Sequence, residues 1–235
     1  MYRRSGVLPP SIAILAAAAV LSVPRVSAAA SLTVQPAPAP SADAVPAALA
    51  NRLDPQGAQL FSSGSPLCNL WLLKSVPTGP SSSSEPDILY GNLKVGELVG
   101  VMQVLAPAQD FRHQKVPPGV YTLRYGQIPQ DGNHMGVSQY RDFLLLGPVA
   151  ADTKLDDVLG FDDLVSLSRK TAGTGHPAVL SLIPASSSVN TLPGVFSDDS
   201  GDQVVQFNLS EQGGSGGRPT PVALVIVPGA QSGQQ

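Results

Sequence analysis

Residues 116–148 read "VPPGVYTLRYGQIPQDGNHMGVSQYRDFLLLGP", and their alternation decides the fold class. From residue 119 onward, Val120, Thr122 and Arg124 face one way while Tyr121, Leu123 and Tyr125 face the other, as on a strand. A second apolar run occupies 141–147. Between the two runs lie about a dozen residues, whereas a hairpin needs only two to five. They carry Asp131, Gly132, Asn133, His134 and Met135 in succession, with Arg141 and Asp142 at the re-entry. A long connection filled with groups that bind or titrate marks the end of the domain where function is expected.

Working outward, strand-length apolar runs punctuated by Pro and Gly fall at 67–76, 94–105, 119–128, 141–147, 177–183, 204–209 and 221–227. This pattern predicts a mainly β protein, an antiparallel β-sandwich of about seven strands. "VALVIV" (222–227) is apolar at every position and reads as a central strand covered on both faces. The cover is expected from "DTKLDDVLGFDDLVSLSRKTAG" (152–173), one amphipathic helix with acidic residues early, Arg169 and Lys170 late, and Gly173 to close it. Asp152, Asp156, Asp157, Asp162 and Asp163 lack the spacing of a calcium loop and read as capping and solvated residues. A helix of that length would carry the chain back along the sheet as a right-handed crossover, with strand 177–183 parallel to 141–147. That route would bring His134 and His176 to one end of the domain, with Asp131 and Asp142, and leave His113 at the other.

The chain begins Met1-Tyr2-Arg3-Arg4, followed by an apolar run over 12–23 and the small-x-small exit Val26-Ser27-Ala28. This is the form of a signal peptide over 1–28, so the protein is expected to be exported, to the periplasm or the medium. The apolar run is too short to span a bilayer, so no membrane span is expected after cleavage. Residues 29–66, rich in Ala, Pro and Ser, read as a linker, 67–228 as the β-sandwich domain and 229–235 as a flexible tail. Removing 1–28 leaves 11 basic and 17 acidic residues, a net charge of −6. An acidic chain without basic clusters has no electrostatic footprint for nucleic acid. Cys68, the single cysteine, lies in the apolar run "PLCNLWLL" and reads as a buried thiol.

The candidate binding residues are Asp131, Asn133, His134, Arg141, Asp142 and His176. Two imidazoles and a carboxylate, His134, His176 and Asp131, suffice to hold zinc or copper with positions left open. Against this, Asp and Asn in a Gly-containing loop commonly satisfy their own backbone, and Arg141-Asp142 reads as an edge ion pair. Ser138, His134 and Asp142 supply the residue types of a hydrolase, but no Gly-x-Ser-x-Gly elbow accompanies them. The leading expectation is a non-catalytic binding or structural module without a cofactor, its partner an unidentified small molecule or envelope protein. A copper or zinc protein is the alternative.

The stretch 117–148 together with "GTGHPAVLSL" (173–182) resembles a family of uncharacterised exported bacterial domains, over roughly residues 88–185. The resemblance implies export and a β-rich fold. It implies no reaction and no catalytic residue.

Overall fold

The computed structural model describes residues 31–79, 85–132, 134, 137–212 and 219–230. The expected signal peptide lies outside these residues, as do Asn133, Met135 and the end of the expected tail. Along the chain come β1 (Leu32–Pro36), β2 (Ala58–Ser62), β3 (Ser65–Leu72), the short β4 (Val76–Pro77), β5 (Leu98–Val104), and the short β6 (Ala108–Gln109) and β7 (Lys115–Val116). Then follow β8 (Gly119–Gln127), β9 (Asp142–Pro148), β10 (Val179–Ile183), β11 (Gly194–Ser197), β12 (Gln203–Leu209), the short β13 (Glu211–Gln212) and β14 (Thr220–Val227). Helix α1 spans Ala47–Ala50 and α2 spans Phe161–Ala172. No described helix is long and apolar enough to cross a membrane.

Every one of the seven expected spans contains a strand, and the protein is mainly β. The architecture differs from a seven-strand sandwich. Ten strands form one sheet in the order β1-β2-β3-β5-β8-β9-β10-β14-β12-β11, with every neighbouring pair antiparallel. The sheet curls until its two edges meet: the Leu32 N–H on β1 donates to Gln203 Oε1 on β12 at 3.4 Å. The result is nearly a barrel. Its interior is filled by one face of each long strand, including Leu60, Leu70, Met102, Leu123, Leu146 and Leu224.

The strands that complete the curl were not expected. β1 and β2 lie in the segment read as a linker, and Leu32, Val45, Leu49, Leu53 and Leu60 of that segment are all buried in the main core. The prolines there do not prevent this, because Pro36 lies on an edge strand where its missing N–H costs no ladder bond, and the Ala37 N–H still donates to the Gly57 carbonyl at 2.8 Å. Cys68 is buried, as expected, and burial pushes its thiol up to about 12.

The alternation on β8 holds. Tyr121, Leu123 and Tyr125 enter the main core, while Thr122 and Arg124 lie on the outer face and are buried there as well. Their cover is the segment after β9. On β9, Leu144 and Leu146 point inward, and Phe143 and Leu145 point outward into a second cluster with Leu159, Leu164 and Leu167. Helix α2 therefore covers β9, and not the strand 221–227 for which it was expected. The outer residues of β14, Ala223 and Val225, instead join Val204, with Ile183 and Phe196 packed against them.

The helix is also shorter than the span 152–173. Gly160 stands at its N-cap, Asp162 and Asp163 occupy the first turn, Arg169 and Lys170 the last, and Gly173 closes it at φ 65°. Residues 152–160 stay out of it because Arg124 claims the carbonyls of Lys154 and Asp157, at 2.7 and 2.9 Å. This segment climbs alongside β8, from Asp152 at Thr122 to Leu159, whose N–H donates to the Gly96 carbonyl at 3.3 Å. Helix α2 then descends, with Leu164 near Gly126 and the Thr171 hydroxyl on the Leu146 carbonyl at 2.7 Å. With the climb already made, β10 runs antiparallel to β9, pairing Val179 with Leu145, and the expected crossover does not form.

Candidate functional site: a cavity beneath the helix

A cavity of about 250 Å³ lies between α2 and the outer face of β8, β9 and β10. Phe111, Phe143, Leu145, Leu164, Val165 and Val179 make its walls. The rings of Phe111 and Phe143 meet edge to face, with centroids 5.2 Å apart and planes at 72°. Gly126 helps to make the space: a Cβ there would lie 2.4 Å from Leu145 Cδ1. Phe161, the first residue of α2, borders the cavity and is 45% exposed, a large apolar ring left facing water.

Three polar arrangements hold this region in place. The first is the Arg124–Asp152 pair, entirely buried. Arg124 Nε and Nη2 donate to the two carboxylate oxygens at 2.7 and 2.9 Å, a bidentate contact, and Thr122 Oγ1 donates to Oδ2 at 2.7 Å. The remaining guanidinium hydrogens go to the carbonyls of Gly96, Lys154 and Asp157. The second is Asp110, also buried, which accepts from the backbone N–H groups of Arg112, Gln114 and Val179 and from Gln114 Nε2. Burial raises its carboxyl pKa despite those donors.

The third is Asp142. It is fully buried and accepts from the N–H groups of Leu89 and Tyr90, at 2.8 and 3.0 Å, and from the Tyr125 hydroxyl at 2.5 Å. Burial, with the Asp142 charge added, drives the Tyr125 phenol far up, and burial takes the Tyr90 phenol to about 12. Arg141 points away from Asp142. Its Nε donates to the Ile128 carbonyl at 2.9 Å, and its Nη1 pairs with Glu85 and lies 3.9 Å from Asp87. The expected edge pair is thus replaced by two separate anchors, which tie residues 85–90 to the start of β9.

The remaining candidates border the cavity. His134 Nδ1 lies 2.6 Å from Asp131 Oδ1, and both side chains are roughly half exposed. His134 belongs to the connection entering β9 at Asp142. His176 belongs to the turn before β10, level with the far half of β9, where the Leu146 N–H donates to the Ala178 carbonyl at 3.0 Å. Both imidazoles line one cavity, but from its two ends, and not by the route expected. Among the described residues no three His, Cys, Asp or Glu side chains come together as a metal-ligand group. The hydrolase constellation does not assemble either, since His134 pairs with Asp131 while Asp142 is held by Tyr125 and the backbone. Ser168 is engaged with both the N–H and the carbonyl of Ala178.

No protein-family profile, curated protein or solved structure matches the chain.

The site residues passed over in the sequence are Phe111, Arg112, Phe161 and Arg169. One signal could have found the cavity wall. "DFLLLGP" is apolar on both faces of the strand, so Phe143 and Leu145 needed a partner, and the stripe of the adjacent helix was available.

Proposed function

We propose that this domain is a non-catalytic binding module of an exported protein, and that its ligand is a small molecule with an apolar body held beneath α2. The observation that supports this is the cavity itself. An apolar cavity of roughly 150 Å³ takes up benzene, so one of about 250 Å³ accommodates more than a single aromatic ring. A ligand there would also cover Phe161. The test is a fluorescence titration with N-phenyl-1-naphthylamine, an uncharged apolar probe. The wild-type protein is expected to bind one equivalent with a blue-shifted emission. Val165→Trp, which fills the cavity from the half-buried face of α2, is expected to abolish the signal. No binding to the wild type would end this reading.

Zinc or copper on His134, with Asp131 orienting its ring, is a second reading, supported by the 2.6 Å contact between His134 Nδ1 and Asp131. A carboxylate on Nδ1 leaves Nε2 free to ligate. Calorimetric titration with zinc would then show stoichiometric binding that His134→Ala removes. Heat of dilution alone would end the metal reading and leave the first intact.

A further inference from the structure

The cavity is electrostatically lopsided. Arg112, Arg169 and His176 gather at one of its ends, because each lies close in sequence to a bond on the Ala178–Val179 backbone. The Phe111 N–H donates to the Val179 carbonyl at 2.8 Å, the Ser168 hydroxyl donates to the Ala178 carbonyl at 2.9 Å, and His176 precedes Ala178 by two residues. Both arginines are exposed and border the cavity, and neither has an ion-pair partner among the described residues. Among the described residues Asp131 is the one carboxylate on the cavity lining; it stands with His134 at the other end. Asp110, behind the arginines, is buried and its oxygens are occupied by backbone and amide donors. In a chain whose net charge is negative, two guanidinium groups without ion-pair partners among the described residues make that end of the cavity locally positive.

Building on the binding module proposed above, we infer that the ligand is a small organic anion, with its apolar body between α2 and β9 and its carboxylate- or sulfonate-type head between Arg112 and Arg169. The planar fork of each guanidinium suits such a head, which can take two parallel hydrogen bonds from it. The cavity is bordered at one end by the connection before β9 and at the other by the turn before β10. It therefore suits a compact molecule better than a continuous peptide.

Two probes of the same shape separate the body from the head: 1-anilinonaphthalene-8-sulfonate and its uncharged parent N-phenyl-1-naphthylamine. The sulfonate is expected to bind at least about tenfold more tightly, as charge-assisted contacts to two guanidinium groups imply. It should be displaced by decanoate at a lower concentration than by decanol. In Arg112→Gln/Arg169→Gln the sulfonate loses that advantage, while the parent binds within about twofold of wild type. Equal affinities in the wild type, or a double variant that still prefers the sulfonate, would overturn the anion site and leave the apolar module standing. Failure of the uncharged parent to bind the wild type would overturn the module, and the anion site with it. Should Val165→Trp not fold, Val137→Trp closes the same cavity from the connection side, with circular dichroism as the check on folding.

Discussion

Arg124 has no exposed surface, and a buried guanidinium requires an acceptor for each of its five hydrogens. It finds two on Asp152 and three on the carbonyls of Gly96, Lys154 and Asp157. Removing the carboxylate strands a charge. Asp152→Ala is expected to lower unfolding free energy by about 3–5 kcal/mol. The apolar double variant Arg124→Met/Asp152→Leu should lose markedly less, since no charge is left unpaired. Urea unfolding of the three proteins measures this, and equal losses in the single and double variants would contradict it. Half of this pair was legible in the sequence, because alternation placed Arg124 opposite the tyrosines. The other half was not. Asp152 stands 28 residues away among five acidic residues whose spacing suits the start of a helix, and nothing local distinguishes the one that becomes buried.

At the scale of elements, the segment 152–160 decides where α2 lies, and Gly96 decides where that segment lies. Gly96 has a φ of 92°, and a Cβ there would sit 1.9 Å from the Leu159 carbonyl oxygen. Gly96→Ala therefore combines a left-handed backbone with a backbone clash, and is expected to cost more than about 2 kcal/mol. Gly173→Ala, where φ is 65° but no atom lies within 4 Å, should cost only about 1 kcal/mol. Thermal unfolding of both variants tests the order, and a larger loss at Gly173 would contradict it. The helix was readable from its apolar stripe and its caps, but its start and its partner were not. Tertiary bonds from Arg124 capture the carbonyls that a longer helix would use, and hydrophobic periodicity carries no information about them. For the same reason β1 and β2 were hidden. Five-residue strands in Pro- and Ala-rich surroundings have weak local signatures, and their pairing is set by neighbours elsewhere in the sheet.

For the molecule as a whole, burial keeps several acidic protons in place well above neutrality. Cys68 and Tyr90 are raised to about 12 and Tyr125 is driven up further, against ordinary values of 9.0 for the thiol and 10.0 for the phenols. The unfolded chain sheds these protons first, so the stability they confer is complete below about pH 9 and declines as pH rises towards 12. Each group that ionises only on unfolding steepens the decline by up to about 1.4 kcal/mol per pH unit. Urea midpoints between pH 7 and 11.5 should fall accordingly, and a flat profile above pH 10 would contradict the burial of these groups. A thiol reagent at pH 8 should likewise leave Cys68 untouched until denaturant is added.

The meeting of β1 with β12 through Leu32 and Gln203 joins positions 171 apart in the chain. The last seam of the sheet is thus also its most distant in sequence, and loop-closure entropy makes such a contact late and slow to form. Until residues beyond 200 are available, a growing or truncated chain carries β1 as an open edge able to recruit a strand from another molecule. Fragments ending before β11 should accordingly precipitate or swap strands, and proteolysis near the C-terminus should be more damaging than its position at the end of the chain suggests.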